Sequence, residues 1–218
     1  MMKLTPKTIE TLKNFSTINA GIVLNAGKTQ RTWSLDKSIL VEAELDEEFP
    51  CQFGIYDLEK FLRNITVMDN PELNFTSEHV LLDDNTLKIK FRSCKPELIS
   101  TPPNKELVLK NPDVSFVLKA SILEKVFKLV AMNRFTNISV VGENGSLMFQ
   151  GHDKHNDKSN TIYTEIDKWE KENFIFTFNA EHMKILPDEY EVKIKANSFS
   201  HFKSTTRNLS YFIALLTK

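Results

Sequence analysis

The segment Gly21-Ile22-Val23-Leu24-Asn25-Ala26-Gly27-Lys28-Thr29 comes nearest to a phosphate cradle. A P-loop needs four residues between its glycines, and a following helix to aim backbone amides at the phosphate. Here five residues separate the glycines, and both flanks read as strands. A turn between two strands is expected instead. The run Gly151-His152-Asp153-Lys154-His155-Asn156-Asp157 holds metal-ligand residue types. It is polar and lies between two strand-like runs, so it reads as a solvated loop with nothing to make the histidines converge. Cys51 and Cys94 lack any C-x-x-C partner. They are expected to be reduced core or strand residues. No Ser, Cys or His sits in a nucleophile signature. The carboxylates are numerous but scattered, and acid–base catalysis needs them in a shared pocket. No catalytic site, metal or cofactor is expected.

The cations are better organised. Four windows with helical character (3–15, 55–68, 117–134 and 179–186) carry ten basic and five acidic residues, a charge of +5. The chain as a whole carries −1, which leaves −6 for the rest. The basic residues are Lys3, Lys7, Lys13, Lys60, Arg63, Lys119, Lys125, Lys128, Arg134 and Lys184. On a helical wheel Lys125 and Lys128 fall opposite the apolar stripe of their segment, as do Lys60 and Arg63. In the first window Lys3 and Lys7 are placed opposite Ile9, Leu12 and Phe15, with Lys13 at the flank. Solvated lysines on amphipathic helices are ordinary. The strand-like segments, however, carry Glu42, Glu44, Asp46, Glu47, Glu48, Asp83, Asp84, Glu165, Asp167, Glu170 and Glu172. A basic helical face beside acidic sheets suits one surface that attracts phosphates and another that repels them.

The elements that carry these charges run in one order twice. Thr5 is a fitting N-cap with Pro6 at the first helical position, opening a helix to Phe15. A second helix over Tyr56–Met68 buries Leu58, Phe61, Leu62 and Ile65. A third over Ser121–Asn133 uses Ile122, Leu123, Val126, Phe127, Leu129 and Val130. A short fourth, Asn179–Leu186, stops at Pro187. Short strands lie between, with turns at Asn25-Ala26-Gly27, Asp83-Asp84-Asn85 and Glu143-Asn144-Gly145. Each half reads helix, strands, short helix, strands. A proline-rich stretch separates them, giving an N-terminal domain 1–95, a connector 96–113 and a C-terminal domain 114–218.

The 218 residues, 41% hydrophobic and 26% charged, suit two small globular domains. No apolar run approaches the length of a membrane span. The opening MMKLTPKTIE has no apolar leader core, so secretion is not expected.

Four segments carry a resemblance: KTIETLKNFSTINAGIVLNAGK, FGIYDLEKFLRNITVMDNPELNF, LKASILEKVFKLV with TNISV, and NLSYFIALL. They resemble the sliding clamps of T-even-type bacteriophages, which are DNA polymerase processivity factors. The likeness is strongest over 3–26 and 51–76. It implies an α+β DNA-clamp fold of two similar domains, with sheets outside and helices lining the pore of a homotrimeric ring. It implies partners as well: double-stranded DNA held topologically without sequence preference, the replicative DNA polymerase, a clamp-loader ATPase and late-transcription factors. It places the protein in the cytoplasm of an infected bacterial host. By residue matching, Lys13 and Lys128 align with basic positions on the family's pore helices. Lys60 and Arg63 have no such match and rest on the wheel alone.

The likeness implies two more sets of residues. The subunit seam is expected to join the strand of Leu87, Lys88, Ile89, Lys90, Phe91 and Arg92 to the neighbour's strand with Tyr163, Glu165 and, just beyond, Asp167. A polymerase peptide is expected in a groove bordered by Leu98, Ile99, Leu107, Leu215 and Leu216. The runner-up reading is a monomeric, clamp-like DNA-binding accessory protein, which would need a denser basic face to hold DNA by affinity alone. A plain interaction scaffold is a third.

Overall fold

The computed structural model describes residues 1–153 and 160–216, so His155 and Asp157 of the polar loop lie outside the described residues. The chain divides into two compact units, Met1–Lys105 and Glu106–Lys218, at a point within the proline-rich stretch.

Unit one opens with helix α1, Pro6–Ile18, followed by strands β1 (Ile22–Leu24), β2 (Gly27–Trp33), β3 (Ile39–Phe49) and β4 (Phe53–Ile55). Helix α2 (Leu58–Val67) and strands β5 (Glu72–Phe75), β6 (His79–Asp83) and β7 (Lys88–Arg92) complete it. The Thr5 side chain accepts from the Thr8 N–H and caps α1, and Asp57 caps α2 through the Lys60 N–H. α1 runs one turn beyond the expected Phe15, because Ile18 adds another buried residue to its packing face. β1 pairs with β4, β2 with β3, and β5-β6-β7 form an antiparallel sheet in which β7 is an edge. Phe15, Phe53 and Phe61 are fully buried, and Phe49 and Phe53 meet Phe75 edge to face at 5.6 and 5.2 Å.

The phosphate-cradle candidate is a turn between β1 and β2, with no helix after it. Its polar groups are already used. The buried Gln30 side chain accepts from Asn25 N–H at 2.8 Å and donates to the carbonyls of Asn25 and Gly27. Cys51 and Cys94 are free thiols. Burial pushes the Cys94 thiol pKa up, away from reactivity.

In unit two, strand β8 (Val114–Leu118) precedes helix α3 (Ala120–Asn133). β8 has no counterpart among the strands expected from the sequence, although Val114, Phe116 and Leu118 alternate inward. Strands β9 (Asn137–Glu143), β10 (Ser146–His152), β11 (Ile162–Lys168) and β12 (Phe174–Asn179) form a sheet ordered β11-β10-β9-β12. Strands β13 (Tyr190–Ile194), β14 (Phe199–Ser204) and β15 (Leu209–Ala214) continue antiparallel from β8. The turn between β9 and β10 sets Asn144 and Gly145 at φ 50° and 83°, the left-handed pair that suits a tight hairpin.

The fourth helix is absent. Only a single 3-10 turn forms, Ala180–His182. Beyond it Met183 and Ile185 are buried while Lys184 is exposed, a period of two and not 3.6. The Tyr190 hydroxyl donates to the Leu186 carbonyl at 2.6 Å, and the Leu186 N–H donates to the Tyr211 hydroxyl at 3.2 Å. These side chains replace the bonds a helix would have made.

Candidate nucleic-acid interface

The buried face of α1 is Thr8, Thr11, Leu12, Phe15 and Ile18, with Ile9 only half-buried. Two threonines therefore pull the inward face away from the apolar stripe that hydropathy suggests. Lys13 then lies roughly 160° from the buried face, and Lys7 moves to its flank. The sequence-based assignment of these two lysines is reversed. Lys7 sits 3.7 Å from Asp46 of β3.

A bulge causes that contact. Between the pairs Gly27↔Phe49 and Thr29↔Glu44, β3 carries more residues than β2, and its alternation breaks. Bulges re-aim side chains. Here Glu47 accepts from the Thr5 N–H and the Thr8 hydroxyl, and Asp46 accepts from the Thr5 hydroxyl at 2.8 Å. Two carboxylates so placed favour the positive end of the helix dipole. They close that end to phosphate and fix the helix that presents Lys13.

On α2 the buried residues are Leu58, Phe61, Leu62 and Ile65, the face read from the sequence. Lys60 and Arg63 point away, and Arg63 pairs with Glu59 at 2.5 Å. On α3 the buried residues are Leu123, Val126 and Val130. Lys125 and Lys128 are exposed as expected, but Leu129 is 41% exposed and lies off the core stripe. Among the described residues Lys13, Lys60, Lys125 and Lys128 make no ion pair.

The remaining cations of the set differ. Lys119 stands at the N-terminal end of α3 and Arg134 at its C-terminal end. Arg134 has φ 55°, a left-handed conformation usually left to Gly or Asn. Lys3 lines a hollow with Asp69, Glu72, Asp83 and Asp84, so its surroundings repel phosphate. In that hollow, hydrogen bonds from Leu87 N–H and the Thr86 hydroxyl hold the Asp84 carboxyl down to about 2. Lys184 lies on the extended segment and not on a helix. Among the described residues no three His, Cys, Asp or Glu side chains are grouped to hold a metal. No helix there is long and apolar enough to cross a membrane.

Both seam strands are sheet edges within their own units. β7 exposes Lys88, Lys90 and Arg92, although Lys88 is held by Asp83 at 2.8 Å. Ile89 and Phe91 are half-buried, with Phe91 5.1 Å from Phe61 of α2. They belong to their own unit more than to a partner. Leu87 is 49% exposed. β11 exposes Tyr163, Glu165 and Asp167, with Tyr163 71% exposed.

The groove residues fare unevenly. Ile99 is buried against Gly21, and the neighbouring Ser100 is tied by the Asn19 side chain and the Trp33 indole. Ile99 thus pins the chain to unit one and offers no open groove wall. Leu98 is exposed, while Leu107, Leu215 and Leu216 are half-buried in unit two. The Leu216 N–H donates to the Thr177 carbonyl of β12 at 2.8 Å.

Comparison with known proteins gives one answer for both halves of the chain. Residues 3–97 match the family described as "DNA polymerase processivity factor", and residues 115–217 match "gp45 sliding clamp, C terminal". A sliding clamp of Vibrio phage KVP40 is 33% identical over 223 residues, covering 98% of each chain. That of Escherichia phage RB69 is 28% identical, covering 98% of this chain and 96% of its own. Among solved structures, the β clamp of H. pylori superposes with a TM-score of 0.76 at 14% identity, over 100% of this chain and 65% of that one.

Proposed function

We infer the function from one premise: the chain belongs to the phage sliding-clamp family, the DNA polymerase processivity factors. It is therefore a non-enzymatic tether and not a catalyst. The proposal is that the outward faces of α1, α2 and α3 meet duplex DNA inside a closed ring of three copies. The observation that carries it is the set of Lys13, Lys60, Lys125 and Lys128, exposed on helix faces opposite the core and unmatched by carboxylates among the described residues.

Attraction to phosphates without base readout leaves a protein free to slide. A ring gains residence time from topology, so a chain of net charge −1 can serve DNA without a dense basic face. We propose further that the ring tethers the replicative polymerase, is opened by a loader ATPase, and acts as a moving platform for late-transcription factors in the host cytoplasm.

Ring closure needs a head-to-tail interface between unlike surfaces. The exposed cations of β7 and the exposed acids of β11 suit each other as paired edges, which also removes two open strand edges. Lys90 and Arg92 face the seam, since Lys88 is held within its own unit. Lys90→Glu should lower the trimer fraction in sedimentation at matched concentration, and Glu165→Lys in the same chain should restore part of it. A trimer fraction unmoved by either reversal would remove this strand pair from the seam.

A further inference from the structure

Two segments of the chain align without a gap, although they occupy different places in the two units. Residues 58–68 read LEKFLRNITVM and residues 123–133 read LEKVFKLVAMN. The first is α2, the second helix of unit one. The second is most of α3, the opening helix of unit two. Buried positions coincide, Leu58, Phe61 and Ile65 with Leu123, Val126 and Val130. So do the outward cations, Lys60 and Arg63 with Lys125 and Lys128. The match runs one turn further, to Val67 and Met132, which are 84% and 70% exposed.

A single exposed aliphatic side chain is ordinary. Two at the same repeat position, each one turn beyond a basic pair on the same face, form a pattern. Residues 60, 63 and 67 make a stripe about 10 Å long, as do 125, 128 and 132. The outward side chains of Val67 and Met132 lie away from the buried face, so packing within the units does not account for them. The cations beside them select duplex DNA as the occupant and not an apolar protein surface.

We propose that Val67 and Met132 touch DNA and set how freely the ring slides. They fill the turn where a third cation would extend the basic pair, and they lie against deoxyribose edges without holding a phosphate. The proposal rests on the reading that α2 and α3 face DNA. A Lys–phosphate contact displaces counterions and has to pass from one phosphate to the next as the ring moves, so each added contact adds friction without stopping the slide. An apolar contact is non-directional and favours no register. Methionine adapts its shape as the surface beneath it changes. On α2 the Glu59 carboxylate already tempers Arg63. Lys128 of α3 has no such partner among the described residues, so Met132 is the weightier of the two positions.

The test uses full-length rings threaded onto long linear DNA from its free ends, which are then blocked with streptavidin. Single labelled rings are tracked at low and at high salt. Val67→Lys with Met132→Lys should slow diffusion about three- to tenfold at low salt, and most of that difference should vanish at high salt, as ionic contacts require. Leu35→Lys, at another exposed apolar residue in the turn between β2 and β3, should leave diffusion unchanged. Both target positions are exposed, and Met132→Arg alone supplies the same reading should the double variant fold poorly. Retained rings whose diffusion ignores the added cations at low salt overturn the proposal and leave the clamp reading intact. Wild-type rings that are not retained on end-blocked DNA overturn both.

Discussion

Residues 58–67 and 179–186 hold the same place in the element order of the two units, yet only the first is a helix. Both begin with a good cap: Asp57 accepts from Lys60 N–H and Asn179 from Glu181 N–H. The difference lies in the residues after the cap. In α2 the buried residues recur at helical spacing, and Phe61 is fully buried. After Asn179 they alternate, with Met183 and Ile185 inward, and two tyrosine hydroxyls take the backbone groups of Leu186. A cap can start a turn, but burial period decides whether the turn becomes a helix. An antiparallel three-strand run follows this position in each unit, β5-β6-β7 and β13-β14-β15, while the second helix forms only in unit one.

The largest difference between the two segments is expected in the core. Phe61→Ala should cost about 4 kcal/mol and Met183→Ala about 2 kcal/mol, because the first empties a ring-sized space beneath a whole helix. Denaturant unfolding measures both. Equal losses would mean that the extended segment carries as much packing as α2.

Acid should separate the units next. His201 stacks on Phe212 at 4.4 Å in unit two. Burial, with the charges of Lys193 and Lys203, lowers its pKa from 6.5 to about 4, against a smaller opposing effect of Glu191. The unfolded chain therefore takes up this proton first. Stability should fall as pH drops from 6.5 toward 4; solvent screening of this partly exposed ring reduces the full linkage effect of about 3 kcal/mol to on the order of 2 kcal/mol. Asp188 is also lowered: burial raises it, but hydrogen bonds from Ser204, Thr206 and the Glu189 N–H, with the charge of Arg207, together outweigh that. Its contribution is present above the ordinary carboxylate value of 3.8 and is lost only below it, so the window from 6.5 to 4 belongs to His201. Thermal melts across that window should flatten in His201→Gln. An unchanged slope would place the sensitivity elsewhere.

The smallest effect is at the caps. Asp57→Ala should cost about 1 kcal/mol and Asn179→Ala a few tenths, because only the first starts a helix whose remaining turns depend on it. Equal costs, read from the same unfolding curves, would show that the 3-10 turn matters as much as α2.

The contrast also shows what was legible in the sequence. The face of α2 was, because its inward residues are all apolar. So were the turns at Asn85 and Asn144–Gly145, where residue type matches a left-handed backbone. The face of α1 was misread because Thr8 and Thr11 are buried through hydrogen bonds to Glu47 and to the Lys7 carbonyl, which hydropathy does not count. The wheel positions of Lys7 and Lys13, opposite face and flank, are reversed for that reason. The lost helix was hidden because its apolar residues fit either period over so short a run. The acidic neighbours of Lys3 come from two separate segments of the chain, 69–72 and 83–85, and only folding brings them together. The function itself came from kinship; the charge pattern supplied a mechanism consistent with it.

The central claim is that this chain holds DNA by encircling it. The most direct measurement places loaded protein on nicked circular DNA, then cuts the circle once and tracks retention by gel filtration. Stable retention is expected on the circle and prompt loss after the cut, with blocked ends restoring retention. Equal retention on closed and cut DNA, falling only with salt, would contradict it and favour a monomer that binds by affinity.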